Sequence, residues 1–298
     1  MYYDDNTVTY LDGQWPLAKA SMGGLYQQSF HYGNAVFEGI RAYATDQGPK
    51  ILRAQEHYER LLYSAQTMHL EVGLSVAELI DLSYELLARN GLQDAYIRPL
   101  VYPTERLGLQ AESRSHVFLC AWDWSQYFAA GELRMKVSPY CRPDPNSCHV
   151  DAKVSGHYVN SILAMKEAQV AGYDDALLLD QKGFVAEASG ANFFLQQDGV
   201  LYTPPEGNIL PGITRSVVME LAAANGIRVV QKHFTPDAIR GAEGAFLTGT
   251  AVEVQAIGTV NDEPFSRPWA ETHGALLQRQ FKQLVREEKI NFKKTKAA

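Results

Sequence analysis

The stretch Asp151-Ala152-Lys153-Val154-Ser155-Gly156-His157-Tyr158 sets a lysine among small residues, just ahead of a helical stretch. A lysine amine that sheds its proton attacks carbonyl carbon and can form a Schiff base. Most lysines are solvated surface groups, so Lys153 gains meaning only from its company. In Phe184-Val185-Ala186-Glu187-Ala188-Ser189-Gly190 a carboxylate ends a strand, where a surface or capping role is the ordinary expectation. Leu210-Pro211-Gly212-Ile213-Thr214-Arg215 leads proline and glycine into a helix whose free N–H groups and positive dipole end suit a phosphate. An ordinary loop-to-helix junction looks the same. Leu247-Thr248-Gly249-Thr250-Ala251 is a second small, hydroxyl-bearing turn after a strand, and Arg60 lies where a helical arginine is usually solvated. Tyr32, Phe37, Trp124 and Tyr127 form an aromatic set of the kind that usually fills a core. His31, His57, His149 and His157 lack the spacing of metal ligands, so no metal site is expected.

The elements that must hold these residues read as a mixed α/β chain. Val8–Tyr10 and Gln14–Pro16 flank an Asp12-Gly13 turn, a hairpin signal. Ala54–Leu70 has helical periodicity, with Leu61, Leu62 and Ala65 on one side. Ser75–Arg89 follows, opened by the capping-box pattern Ser75…Glu78 and stopped by Asn90-Gly91. Strands are predicted at Ala95–Tyr102, Val117–Trp122 and Leu133–Ser138, then a helix at Tyr158–Ala171. A β-rich stretch takes in Ala176–Asp180, Phe184–Glu187, Asn192–Gln196 and Val200–Thr203, and helices at Thr214–Asn225 and Trp269–Glu288 close the chain.

With 298 residues the chain exceeds what one hydrophobic core usually organises. The break at Phe128-Ala129-Ala130-Gly131 places a small α/β domain at 1–128, a linker at 129–134 and a larger β-rich domain with helices at 135–298. A hydrophobic share of 46% and a charged share of 20% are those of a soluble globular protein. The net charge of -7 speaks against a nucleic-acid partner, because a phosphate backbone rewards a basic face; Lys293, Lys294 and Lys296 read as a solvated tail. No basic region leads into an apolar stretch at the start, and no apolar run is long enough to span a bilayer. Cys120, Cys141 and Cys148 have no CxxC spacing, which suits reduced thiols and a cytoplasmic location.

Taken in order, the chemical stretches resemble the fold-type IV pyridoxal-phosphate enzymes, and within them the branched-chain amino acid aminotransferases. The likeness runs from His31-Tyr32-Gly33-Asn34-Ala35-Val36-Phe37-Glu38-Gly39-Ile40-Arg41 through His57-Tyr58-Glu59-Arg60-Leu61 to Tyr96-Ile97-Arg98-Pro99. It continues through the lysine segment with Tyr158-Val159-Asn160-Ser161, then Gly183–Asn192, Leu210–Arg215 and Thr248–Ala251. The resemblance implies an α/β (α+β type) two-domain fold, a pyridoxal 5'-phosphate cofactor and a homodimer or higher homo-oligomer. It implies that Lys153 binds the cofactor aldehyde and later moves the proton, and that Glu187 faces the pyridine nitrogen. Tyr158 would hydrogen-bond the phenolic oxygen; Arg60, the N–H groups of Ile213 and Thr214, and Thr250 would hold the phosphate. For the substrate it implies Tyr32, Phe37, Gly39, Tyr96 and Arg98, together with Leu109, Trp124, Tyr127, Thr250 and Ala251. Arg98 would take the distal carboxylate of glutamate. The implied reaction moves an amino group from a branched-chain L-amino acid to 2-oxoglutarate, ping-pong through pyridoxamine phosphate.

The chain departs from the family pattern in His157, where an asparagine is common, and in the charged loop Pro103–Leu109, a residue shorter than the familiar apolar version. In the family that loop reaches a neighbouring subunit's active site. Competing readings on the same scaffold are a D-amino-acid or (R)-amine transaminase and an aminodeoxychorismate lyase; outside catalysis, a cofactor carrier competes.

Overall fold

The computed structural model describes residues 2–21, 23–110, 113–124 and 131–286. Its first part contains β1 (Tyr10–Leu11), α1 (Gln28–Tyr32), β2 (Val36–Phe37), β3 (Ile40–Thr45), β4 (Gly48–Ile51), α2 (Ala54–Thr67), α3 (Val76–Asn90), β5 (Ala95–Pro103) and β6 (Ser115–Asp123). These strands form one antiparallel sheet in the order β1-β6-β5-β3-β4, with β2 also on β5. Asp12 and Gly13 both have positive φ, the backbone that lets a two-residue turn follow strand twist, and Leu11 bridges Gln14 across it. On α2, Tyr58, Leu61 and Ala65 are buried at helical spacing; α3 opens on the expected box, Ser75 Oγ accepting from Glu78 N–H and Ser75 N–H donating to the Glu78 carboxylate. Both helices pack on one face of the sheet, through Ile40, Ile97, Val101 and Leu119. The period of a strand then turns Tyr96, Arg98 and Leu100 of β5 to the opposite side.

The second part contains β7 (Leu133–Cys141), α4 (Tyr158–Val170), β8 (Asp175–Leu179), β9 (Val185–Ala188), β10 (Asn192–Gln197), β11 (Val200–Thr203), α5 (Ile213–Ala224), β12 (Val229–Gln231), β13 (Gly244–Gly249), β14 (Glu253–Val260), β15 (Glu263–Pro264) and α6 (His273–Arg286). Its sheet runs β12-β11-β10-β13-β14-β7-β8-β9, with β15 on β14. Asn192 of β10 also pairs with Glu187 of β9, so the ladder returns on itself. Phe193, Leu195, Leu247 and Ile257 belong to one core of this sheet; α5 and α6 pack a second with Phe194 and Phe246. The two parts interlock: Tyr43 and Leu52 join that second core, while Ala152 and Val154 join the core of the first sheet.

Elements follow the sequence reading with local shifts. The last helix starts at His273 rather than Trp269, because Thr272 Oγ1 bonds back to the Trp269 carbonyl and accepts from Ala275 N–H. Leu247, Thr248 and Gly249, expected in a turn, complete β13. β7 takes in Leu133 and Arg134, which lie within the stretch assigned to the linker; the Phe128–Gly131 break falls mostly outside the described residues. Strands β2, β3, β4, β12, β14 and β15 were not marked out by the sequence pattern, and β13 only as the strand ahead of the Leu247–Ala251 turn. No helix among the described residues is long and apolar enough to cross a membrane.

Candidate active site

A cavity of about 570 Å³ takes its walls from both sheets. Lys153 enters it from the segment after β7, which is pinned to the first sheet. Val154 bridges Val36, Phe37 N–H donates to the Lys153 carbonyl at 3.1 Å, and Lys153 N–H donates to Ser64 Oγ at 3.0 Å. The same seam brings Gly156 so close to Gly33 (φ +71°) that a Cβ there would stand 2.7 Å from the Gly156 Cα. Lys153 Nζ donates to Tyr158 Oη at 2.8 Å, at the start of α4.

Glu187 is buried where β9 meets β10. Arg142 Nη2 lies 2.9 Å from Oε1, Asn192 Nδ2 donates to Oε2 at 3.0 Å, and Leu210 N–H donates to Oε1 at 3.3 Å. Burial pushes this carboxyl above its ordinary value, against the pull of Arg142 and of the Leu210 N–H. His157 also lines the cavity; burial lowers its pKa and the Arg142 charge lowers it further, favouring the neutral ring.

The α5 end of the cavity suits an anion. Gly212 is the N-cap and no side chain caps the helix, leaving the N–H groups of Ile213 and Thr214 toward the cavity lining. A Cβ at Gly212 would overlap Asn192 Oδ1, so glycine is what lets the loop lie this close to the β9–β10 junction. Arg60 approaches from α2, largely buried rather than solvated, with Nη1 donating to the Pro211 carbonyl at 2.7 Å. Its Nε and Nη2 donate to Glu38 at 2.6 and 3.0 Å. Thr248 lines the same space, and its Oγ1 is buried without a partner. An orphaned hydroxyl, an uncapped helix start and a buried arginine fit a phosphate group.

The far wall is aromatic with one cation in it. The Arg98 guanidinium carbon lies 4.7 Å from the Phe37 ring and 5.3 Å from that of Tyr96; Nη2 donates to Tyr96 Oη at 3.3 Å and Nε is buried without a partner. Trp122 stacks on Tyr96 at 5.0 Å between ring centroids, and Tyr2 stands edge-on to Trp122 at 5.2 Å. A Cβ at Gly39 would overlap Tyr96 Oη, so glycine is what lets the Tyr96 hydroxyl lie against the backbone here.

The cavity therefore gathers Lys153, Tyr158, Glu187, Arg60, Ile213, Thr214 and Thr250 from the expected cofactor set. From the substrate set it gathers Phe37, Gly39, Tyr96, Arg98, Trp124, Thr250 and Ala251. It does not gather Tyr32 or Leu109: Tyr32 is exposed at the end of α1, and Leu109, 84% exposed, sits in the loop after β5. Tyr127 lies outside the described residues. Sequence reasoning missed Arg142 and Trp122, and gave no role to Glu38, Asn192 and Thr248, which stand in the stretches it singled out. For Trp122 a signal existed, since it stands opposite Tyr96 in the ladder and two residues before Trp124. The described residues contain no cluster of histidine, cysteine and carboxylates that could hold a metal.

The family profile "Amino-transferase class IV" matches residues 35–260. The branched-chain-amino-acid aminotransferase of Pseudomonas aeruginosa is 39% identical over 264 residues, 87% of this chain and 86% of the relative. That of Escherichia coli is 35% identical over 256 residues, covering 83% and 82%. Among solved structures, a T.th. branched-chain amino acid aminotransferase complexed with N-(5'-phosphopyridoxyl)-L-glutamate superposes with a TM-score of 0.90 at 35% identity, covering 94% of each chain. The enzyme from the archaeon Thermoproteus uzoniensis, solved with norvaline, gives 0.90 at 33% identity over 94% of each chain.

Proposed function

This chain belongs to the class IV aminotransferases, with their two-sheet fold, and we propose that it transfers the amino group of branched-chain L-amino acids to 2-oxoglutarate with pyridoxal 5'-phosphate as cofactor. The observation that carries this reading is the convergence in one cavity of Lys153, buried Glu187 and the anion-accepting α5 end, faced by Arg98 in an aromatic wall. The cofactor supplies an aldehyde for the amine and a ring that accepts electrons as the substrate Cα–H bond breaks.

The protein's residues divide the remaining work. Ile213 and Thr214 N–H groups, Arg60, Thr250 and the orphaned Thr248 hydroxyl hold the phosphate. Glu187, braced by Arg142 and Asn192, stands for the ring nitrogen, where a cation brought beside it favours the ionised carboxylate that burial alone disfavours. Lys153 would hold the cofactor's aldehyde end and would move the substrate Cα proton with Nζ; Tyr158 Oη, 2.8 Å from Nζ, orients the amine. Tyr96, Phe37, Trp122 and Trp124 exclude water from the side-chain end, and Arg98 gives a distal carboxylate its counter-charge. Because one cavity must take donor and acceptor in turn, the kinetics are ping-pong.

We read the chain as two domains, 1–128 and 135–298, acting as a homodimer. The apolar residues Leu25, Tyr26, Phe30 and Leu109 are exposed together, since Gln28 Nε2 ties α1 to the loop carbonyls of Gly108 and Gln110 at 2.6 and 2.8 Å. The test is multiple turnover by purified protein with leucine and 2-oxoglutarate, against a panel holding both enantiomers and (R)-amines, with Lys153→Ala as the inactive control. A preference for D-amino acids or (R)-amines would overturn the branched-chain reading; a single turnover and no more would leave only a cofactor carrier.

A further inference from the structure

We propose that Glu38 is a positioning residue for the phosphate end of the site, setting the direction in which Arg60 offers its free N–H bonds. The inference rests on reading that end as a phosphate site. Glu38 is wholly buried between β2 and β3, and nothing about it touches substrate space directly: it is absent from the cavity wall that Phe37, Gly39 and Arg60 share. Its carboxylate is itself held, by His57 Nδ1 at 2.8 Å and by Gly39 N–H at 3.2 Å, while its backbone N–H donates to the Pro99 carbonyl at 3.0 Å. A carboxylate only accepts, so His57 carries its hydrogen on Nδ1. His57 and Arg60 are one turn apart on α2 and present one face of the helix to Glu38.

An arginine has five N–H bonds in a rigid plane. Here Nε and one Nη2 hydrogen go to Glu38 and one Nη1 hydrogen goes to the Pro211 carbonyl. One hydrogen on each terminal nitrogen remains, in a plane that three contacts fix and that a phosphate oxygen can meet. The Pro211 bond matters as well, because Pro211 precedes the N-cap of α5; Arg60 and the helix N–H groups thus keep one relative placement. Glu38 costs the site part of the Arg60 charge. In exchange a long, otherwise mobile side chain is organised before the ligand arrives, so less ordering is left for binding to do.

Apoprotein affinities for pyridoxal 5'-phosphate and for pyridoxal, which lacks the phosphate, separate this from general destabilisation. Glu38→Gln keeps the shape, removes the charge and sets an amide N–H against a donor. It is expected to raise the Kd for pyridoxal 5'-phosphate about tenfold while leaving pyridoxal within about twofold. Placed on Arg60→Ala, the same substitution is expected to add nothing, since its route to the phosphate is gone. Glu38→Asp, which keeps the charge one methylene short, is expected to lie between and guards against a Gln variant that fails to fold. Equal weakening of both ligands, or full additivity with Arg60→Ala, would overturn the proposal. If Arg60→Ala itself fails to distinguish the two ligands, the phosphate reading is what falls.

Discussion

Arg98 is half-buried among Phe37, Tyr96 and Trp122, and on the proposed reading what it contributes depends on the side chain that enters the cavity. Leucine offers it no charge. A dicarboxylate entering the same wall without a cation would bear an uncompensated desolvation cost. Arg98→Ala is therefore expected to slow the glutamate and 2-oxoglutarate half-reactions by about a hundredfold, with the leucine half-reaction changed only a few-fold. Stopped-flow traces with each donor measure this, and equal losses accompanied by a lower melting temperature would mean that Arg98 merely braces β5. On the proposed reading Glu187 acts by charge rather than by space. In Glu187→Gln, Arg142 at 2.9 Å keeps a buried guanidinium facing a neutral amide, and the ring nitrogen loses its anionic partner. Cofactor should stay bound, while single-turnover conversion with leucine falls at least about a hundredfold, because the lost interaction strengthens as the Cα–H bond breaks. An unchanged single-turnover rate would remove Glu187 from the chemistry.

Elements whose causes are local were legible before any fold was known. The Ser75–Glu78 box, the Asp12-Gly13 turn and the apolar face of α2 depend on residues within a turn or two of each other. Much of the site has distant causes. Glu38 stands 22 residues from Arg60, and Arg142, just past the end of β7, meets Glu187 of β9 from a distant part of the chain. Strands such as β4, Gly48-Pro49-Lys50-Ile51, carry turn residues and exist because β3 offers them a partner. Asp175, at the start of β8, has a consequence visible in pH. Burial pushes its carboxyl up to about 6, against the hydrogen bonds from Ser189 and from the Ala176 N–H at 2.7 Å. Between pH 4 and 6 the folded chain holds a proton that the unfolded chain has released, so this group's contribution to stability is greatest below pH 4 and declines as pH rises through 6. Two pKa units correspond to about 3 kcal/mol. Urea unfolding of the apoprotein and of Asp175→Asn across this range should show their difference shifting by up to that amount toward the variant, then levelling; a flat difference would refute the assignment.

At the scale of the whole molecule, the unassigned surface is apolar where an isolated subunit gains nothing from it. Phe30 is 65% exposed and Leu25 72%, beside a loop whose Leu109 points to no part of this chain's own cavity. On α4, Val159, Ile162 and Leu163 are exposed at helical spacing. A two-fold partner would cover such surface, and each loop would then complete the cavity of the other subunit. Light scattering should accordingly give twice the chain mass, and Leu25→Asp with Phe30→Asp should yield monomers with reduced turnover. Complementation tests the shared site directly. Lys153→Ala lacks its own amine but carries an intact loop; Leu109→Asp keeps its amine and spoils the loop it lends. Each alone is expected to be poorly active. Unfolded together and refolded at equal concentrations, they should pair at random, and half of the dimers should be mixed. In a mixed dimer, the Leu109→Asp subunit supplies Lys153 and receives a sound loop from its partner, so one of the two cavities is whole. Recovery of roughly a quarter of wild-type turnover is the expected ceiling. No recovery above the separate variants, with mixed dimers demonstrated by mass, would mean that the loop serves its own chain or none, and that Leu109 has no part in the active site.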